Sequence, residues 1–125
     1  MMNESTVAFL RGFVHAASGI AHVVFTQRNM RVHITIAVLA TLVGLWLSLS
    51  STEWAIIALA MGGVFMAETM KTAVERIVDL VSPGQHTLAK VAKDASAGAV
   101  LIMAIFAAVT GLLIFLPKVL LFLGL

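Results

Sequence analysis

The sequence predicts an all-α membrane protein: an amphipathic helix on the membrane surface, followed by three membrane-spanning helices in a single domain. Three observations predict it. Of 125 residues, 61% are hydrophobic and only 11% are charged, against roughly 45–50% and 25% in soluble domains. Two charge-free runs are each as long as a bilayer core is thick, and a third continues into a charged helix end. Most of the eight Lys and Arg and six Asp and Glu gather near the ends of these runs. Such a composition excludes an ordinary soluble domain, a disordered chain and a nucleic-acid-binding protein. With no cysteine, disulfides, thiol nucleophiles and Cys-ligated metals are excluded as well.

Residues 5–26 place Phe9, Phe13, Ala16, Ile20 and Val23 near one helical face and Arg11, His15, Ser18 and His22 largely elsewhere, the pattern of a helix lying in the membrane surface. Glu4 at the start, and no compact apolar core before a small-residue cleavage site, argue against a cleaved signal peptide. The first span, about 31–51, rests on the 21 residues from Val32 to Thr52 without Asp, Glu, Lys or Arg, which match a hydrocarbon thickness of about 30 Å. The run Trp54–Ala67 has 14 residues, too few to cross, so the second span, about 53–81, continues through Glu68, Lys71 and Glu75 towards Asp79. Ser82-Pro83-Gly84 marks the break between helices. The third span, about 88–117, contains 22 uncharged residues from Ala95 to Leu116 and is expected to leave the membrane at Pro117 and Lys118.

Arg11, Arg28 and Arg31 precede the first span, and Lys71, Arg76, Lys90 and Lys93 surround the last connection, while Ser48–Glu53 carries no cation. The positive-inside rule therefore places the N-terminus and the charged chemistry in the cytoplasm.

Glu68, Thr72, Glu75 and Asp79 follow one another at four, three and four residues and form one stripe on a helix. Ionisable groups at membrane depth are expensive and point to a functional site. A solvated helix end with a Lys71–Glu75 pair is the plainer alternative, and it suits Arg76 better than Glu68, which follows the uncharged run. Lys90, Lys93 and Asp94 open the last helix, before the small residues Ala95-Ser96-Ala97-Gly98-Ala99. Taken alone, such lysines are headgroup anchors; beside an acidic stripe, they suit an anionic ligand with a divalent cation. No P-loop or kinase Gly-rich loop occurs. His15 and His22 lack a third ligand, so they make a weak metal site.

The string Glu68-Thr-Met-Lys-Thr-Ala-Val-Glu75-Arg-Ile-Val-Asp79, followed by His86 and by Ala89-Lys90-Val91-Ala92-Lys93-Asp94-Ala95-Ser96-Ala97-Gly98-Ala99-Val100-Leu101, resembles the small prokaryotic diacylglycerol kinase family. Phe13-Val-His-Ala16-Ala-Ser-Gly19 and Arg28-Asn29-Met30-Arg31-Val32-His33 resemble its Gram-positive branch, whose members act mainly as undecaprenol kinases. The resemblance covers residues 9–117. It implies a homotrimer in the bacterial cytoplasmic membrane with active sites between subunits. It also implies ATP and Mg²⁺ as cofactors and a membrane lipid alcohol, undecaprenol before diacylglycerol, as substrate.

By the same resemblance Glu68 is the catalytic base and Glu75 holds Mg²⁺ on the ATP phosphates. Lys93 and Asp94 bind the nucleotide, Gly84-Gln85-His86 is a loop that touches it, and His15 contacts it from the surface helix. Glu68 stands where a base for a membrane alcohol is needed, at the end of an uncharged stretch. Two positions depart from the pattern. Gln27 replaces a carboxylate metal ligand, keeping an oxygen donor without its charge. Lys71 replaces an Asn, and its cation either pairs with Glu68 or Glu75 or replaces part of the metal's charge. An impaired homologue and a small channel are the competing readings; the channel is weakened by charge gathered at one membrane face.

Overall fold

A computed structural model describes all 125 residues as four helices: α1 (Glu4–Thr26), α2 (Arg28–Trp46), α3 (Ser51–Val81) and α4 (Thr87–Phe122). All four are long and apolar enough to cross a membrane, and the chain is a multi-pass membrane protein. The expected surface helix, α1, meets that measure too. Length and mean hydropathy do not separate it from the others; the placement of Arg11, His15 and His22 does not enter an average.

A single residue divides α1 from α2. Gln27 is extended, with φ −101° and ψ 114°, and this breaks the helix without a loop. Arg31, one turn into α2, folds back so that its guanidinium donates to the carbonyls of Val24 and Phe25 at 3.2 and 2.9 Å. A cation on otherwise unpaired C-terminal carbonyls caps a helix and complements its dipole.

α3 starts at a capping box: Ser50 Oγ accepts from the Glu53 amide at 3.2 Å, and Glu53 Oε2 accepts from the Ser50 amide at 2.8 Å. Lys118 of α4 reaches the same carboxylate at 3.2 Å, so the far end of α4 is clasped to the start of α3. Above the clasp Trp46 meets Phe122 edge to face, with ring centroids 4.6 Å apart. α4 continues as a helix past Pro117, the expected membrane exit, to Phe122. A proline ring forfeits one backbone bond but does not terminate a helix in an apolar setting, and Lys118 finds its partner without leaving it. α2 stops at Trp46, short of residue 51, because Ser48 adopts a left-handed conformation with φ 54° that turns the chain into α3.

Gly44 fits where no side chain does. A Cβ there would stand 2.7 Å from the Trp54 ring and 2.9 Å from Leu49 Cδ1. Gly44→Ala is expected to destabilise the protein by about 1–3 kcal/mol through overpacking, measured as denaturant unfolding in detergent.

Only 10 of the 125 residues are buried, so most of the apolar surface of one chain faces lipid or other chains. The seam that exists centres on α3, whose buried residues are Ile57, Val64, Glu68, Lys71 and Thr72; Met30 of α2 and Val100 of α4 are buried as well. Three of the five on α3, Glu68, Lys71 and Thr72, are polar or charged, and they lie within little more than one turn.

Candidate active site

The uninterrupted course of α3 carries Glu68, Lys71, Thr72 and Glu75 through the seam. Glu68 is 0% exposed. Its Oε1 accepts from the Lys71 ammonium at 2.8 Å, and its backbone carbonyl accepts from Thr72 Oγ1 at 2.9 Å. Lys71 also stands 4.0 Å from Glu75 Oε1. The sequence left open which carboxylate Lys71 takes, and the distances decide it: a charge-assisted hydrogen bond to Glu68, and only a longer-range attraction to Glu75. Burying a charge without a partner costs several kcal/mol, so the pair is what makes a carboxylate tolerable here. Its second oxygen, Oε2, is buried with no partner, an unmet acceptor that marks a site able to receive a donor.

Towards the end of α3 the chemistry continues into the turn. Lys93 of α4 bridges to Asp79 of α3 at 2.6 Å, and Lys90 pairs with Asp94. His86 N-caps α4, its Nδ1 accepting from the Leu88 amide at 3.1 Å; a neutral His86 therefore carries its proton on Nε2, free to donate. A cleft of about 680 Å³ opens here, lined among others by Asp79, Gly84, Gln85, His86, Lys93 and Asp94. Both ion pairs are largely exposed, so each contributes little to stability and exchanges readily for an anionic ligand.

Of the residues singled out in the sequence, Gly84, Gln85, His86, Lys93 and Asp94 thus meet at one cleft, and Glu68, Lys71 and Glu75 form a second group on α3. Within one chain His15 and Gln27 join neither. His15 lies on α1 beside Glu4, Arg11 and Gly12, and the Gln27 amide reaches only Thr26 Oγ1, at 3.5 Å. No three His, Cys, Asp or Glu side chains come together to hold a metal.

Two polar residues enter the sequence reading only as part of the motif Arg28–His33, with no role in a site. Asn29 and His33, one turn apart on α2, line a cleft of about 280 Å³ together with Lys71 and Ala104. His33 and Ala104 also line a larger apolar groove of about 720 Å³ between α2, α3 and α4. The signal was an i, i+4 polar pair opening an otherwise apolar helix. Its meaning depends on Lys71, which is remote in sequence.

Comparison with known proteins adds independent findings. The family model described as prokaryotic diacylglycerol kinase matches residues 14–115. The chain is 46% identical over 110 residues to an undecaprenol kinase of Bacillus subtilis (strain 168), a match covering 88% of this chain and 89% of that protein. It is 39% identical over 112 residues to a diacylglycerol kinase of Synechocystis sp. (strain ATCC 27184 / PCC 6803 / Kazusa), covering 89% of this chain and 64% of that protein.

Proposed function

Because the chain belongs to the prokaryotic diacylglycerol kinase family and is therefore a lipid kinase, we propose that it transfers the γ-phosphoryl group of ATP to undecaprenol, giving undecaprenyl phosphate. The observation that carries the choice of substrate is the 46% identity to an undecaprenol kinase over nearly the whole of both chains. Labelled ATP supplied with undecaprenol or with diacylglycerol in the same bilayer tests it: label in undecaprenyl phosphate supports the assignment, and label in phosphatidic acid alone refutes it.

The mechanism starts at Glu68. Its free Oε2 accepts the proton of the lipid hydroxyl as that oxygen bonds to the γ-phosphorus. The bond from phosphorus to the bridging oxygen breaks, and ADP leaves. Glu68 then returns its proton to water. An apolar groove that ends at His33, in the same cleft as Lys71, gives the lipid chain a lane leading towards the carboxylate. Lys93, Asp94, Gly84, Gln85 and His86 hold the nucleotide at the turn. Lys93 leaves Asp79 for a phosphate, and His86 donates through Nε2.

Mg²⁺ takes oxygen ligands, commonly one or two carboxylates plus substrate phosphates. The donor set fits that pattern, though it makes no closed cage. Glu75, with its side chain 32% exposed, would hold the ion, and the Gln27 amide oxygen would be a weaker second donor. When bound, Mg²⁺ neutralises charge on the phosphoryl group being transferred. Glu75→Gln is expected to weaken Mg·ATP binding about tenfold or more, since losing even a group that only orients a metal ligand costs about 10–100-fold. Excess Mg²⁺ should partly restore it, as read by nucleotide titration at two metal concentrations.

The chain works as a homotrimer in the bacterial cytoplasmic membrane, with α1 on the cytoplasmic surface. His15 and Gln27, near neither polar group within one chain, complete sites built between subunits. A second reading, a catalytically impaired homologue, draws on the Lys71 ammonium at Glu68 Oε1. Under it, only Gln27→Glu with Lys71→Asn creates activity; an unmodified chain as active as that double variant excludes it.

A further inference from the structure

One ammonium stands within reach of both carboxylates on the α3 face, 2.8 Å from Glu68 Oε1 and 4.0 Å from Glu75 Oε1. Two carboxylates so placed would otherwise invite a divalent cation to bridge them, and an ion held there would tie up the oxygen needed to receive a proton. The ammonium occupies that position already. Its side chain is only 10% exposed, so it is not free to swing away into water as the surface lysines are. Because its direct bond goes to Oε1, Glu68 is fixed in one orientation with Oε2 left over, buried and unpaired. Asn29 and His33 are the other polar groups lining the cleft with Lys71, and the side-chain hydrogen bond that Glu68 accepts comes from Lys71.

We propose that Lys71 is a positioning residue with two effects: it holds Glu68 so that Oε2 faces the lipid hydroxyl, and it bars a divalent cation from bridging Glu68 and Glu75. Metal then enters only with the nucleotide, through Glu75. The inference rests on the assignment of Glu68 as the base for its first effect, and on the charge geometry alone for its second.

Mn²⁺ serves as the probe, read by electron paramagnetic resonance on the full chain in detergent without nucleotide. The unmodified protein is expected to leave Mn²⁺ free at concentrations where Lys71→Gln binds it. Glu68→Gln added to Lys71→Gln should abolish that binding, and Lys71→Arg, which keeps the cation, should exclude Mn²⁺ like the unmodified chain. In turnover, Lys71→Gln should lower kcat by about 10²-fold, the scale of a misplaced catalytic group, with KM for ATP little changed, and Lys71→Arg should recover part of the loss. A nucleotide-free Mn²⁺ site in the unmodified protein that Glu68→Gln removes overturns the proposal, whether or not Lys71→Gln folds. So does a Lys71→Gln protein that gains no Mn²⁺. Failure of the base assignment shows differently, as transfer surviving in Glu68→Gln, and leaves the Mn²⁺ result standing.

Discussion

Glu68→Gln is expected to lower kcat for phosphoryl transfer by about 10²–10⁴-fold, the range that a general base contributes, while nucleotide binding stays near that of the unmodified protein. The amide keeps the size of the carboxylate and can still meet Lys71 through its carbonyl oxygen, so the fold has little reason to change. What it loses is an oxygen able to take a proton. The buried, unpartnered Oε2 is the atom at stake, and it lies outside the cleft lined by Gly84, Gln85, His86, Lys93 and Asp94. Single-turnover transfer measured beside equilibrium nucleotide binding separates the two properties. A parallel loss of both would mean that Glu68 serves the nucleotide instead of the alcohol.

Lys71→Met carries the second large effect, on stability. Removing one partner of a buried pair leaves an uncompensated charge and costs about 3–5 kcal/mol, whereas surface pairs such as Lys90–Asp94 contribute at most about 1 kcal/mol. Denaturant unfolding in detergent should therefore show a marked loss for Lys71→Met. Lys71→Met with Glu68→Gln should be more stable than Lys71→Met alone, since no charge is then stranded. Additive losses in that double-mutant cycle would show that the two side chains are energetically independent in spite of the 2.8 Å separation.

The helices were legible in the sequence because their causes are local. Charge-free runs announced α2 and α4, and the need of a 14-residue run to reach bilayer length required α3 to carry Glu68, Lys71 and Glu75 inside a helix. Ser50 and Glu53, three apart, spell a capping box that explains where α3 begins. The run of α4 beyond Pro117 to Phe122 was not legible, because the partner of Lys118 lies across the bundle at Glu53.

The candidate site could be read from the sequence as residue types but not as pairings. Spacing alone puts Lys71 within reach of Glu68 at i, i+3 and of Glu75 at i, i+4. The choice follows from burial, which is set by α2 and α4 packing against α3. The Asp79–Lys93 bridge and the cleft joining Asn29, His33 and Lys71 cross between helices, where no periodicity reaches. Gln27 ends up at a helix break, a position that its amide chemistry does not foretell.

The most direct test of the account is stoichiometric. The unmodified chain, in a bilayer containing undecaprenol, is given Mg·ATP, and ADP and lipid phosphate are quantified together by mass spectrometry. The account predicts equal amounts of ADP and undecaprenyl phosphate, with both formed about 10²–10⁴-fold more slowly in Glu68→Gln. ADP formed without any lipid phosphate, or undecaprenyl phosphate formed undiminished by Glu68→Gln, would contradict it.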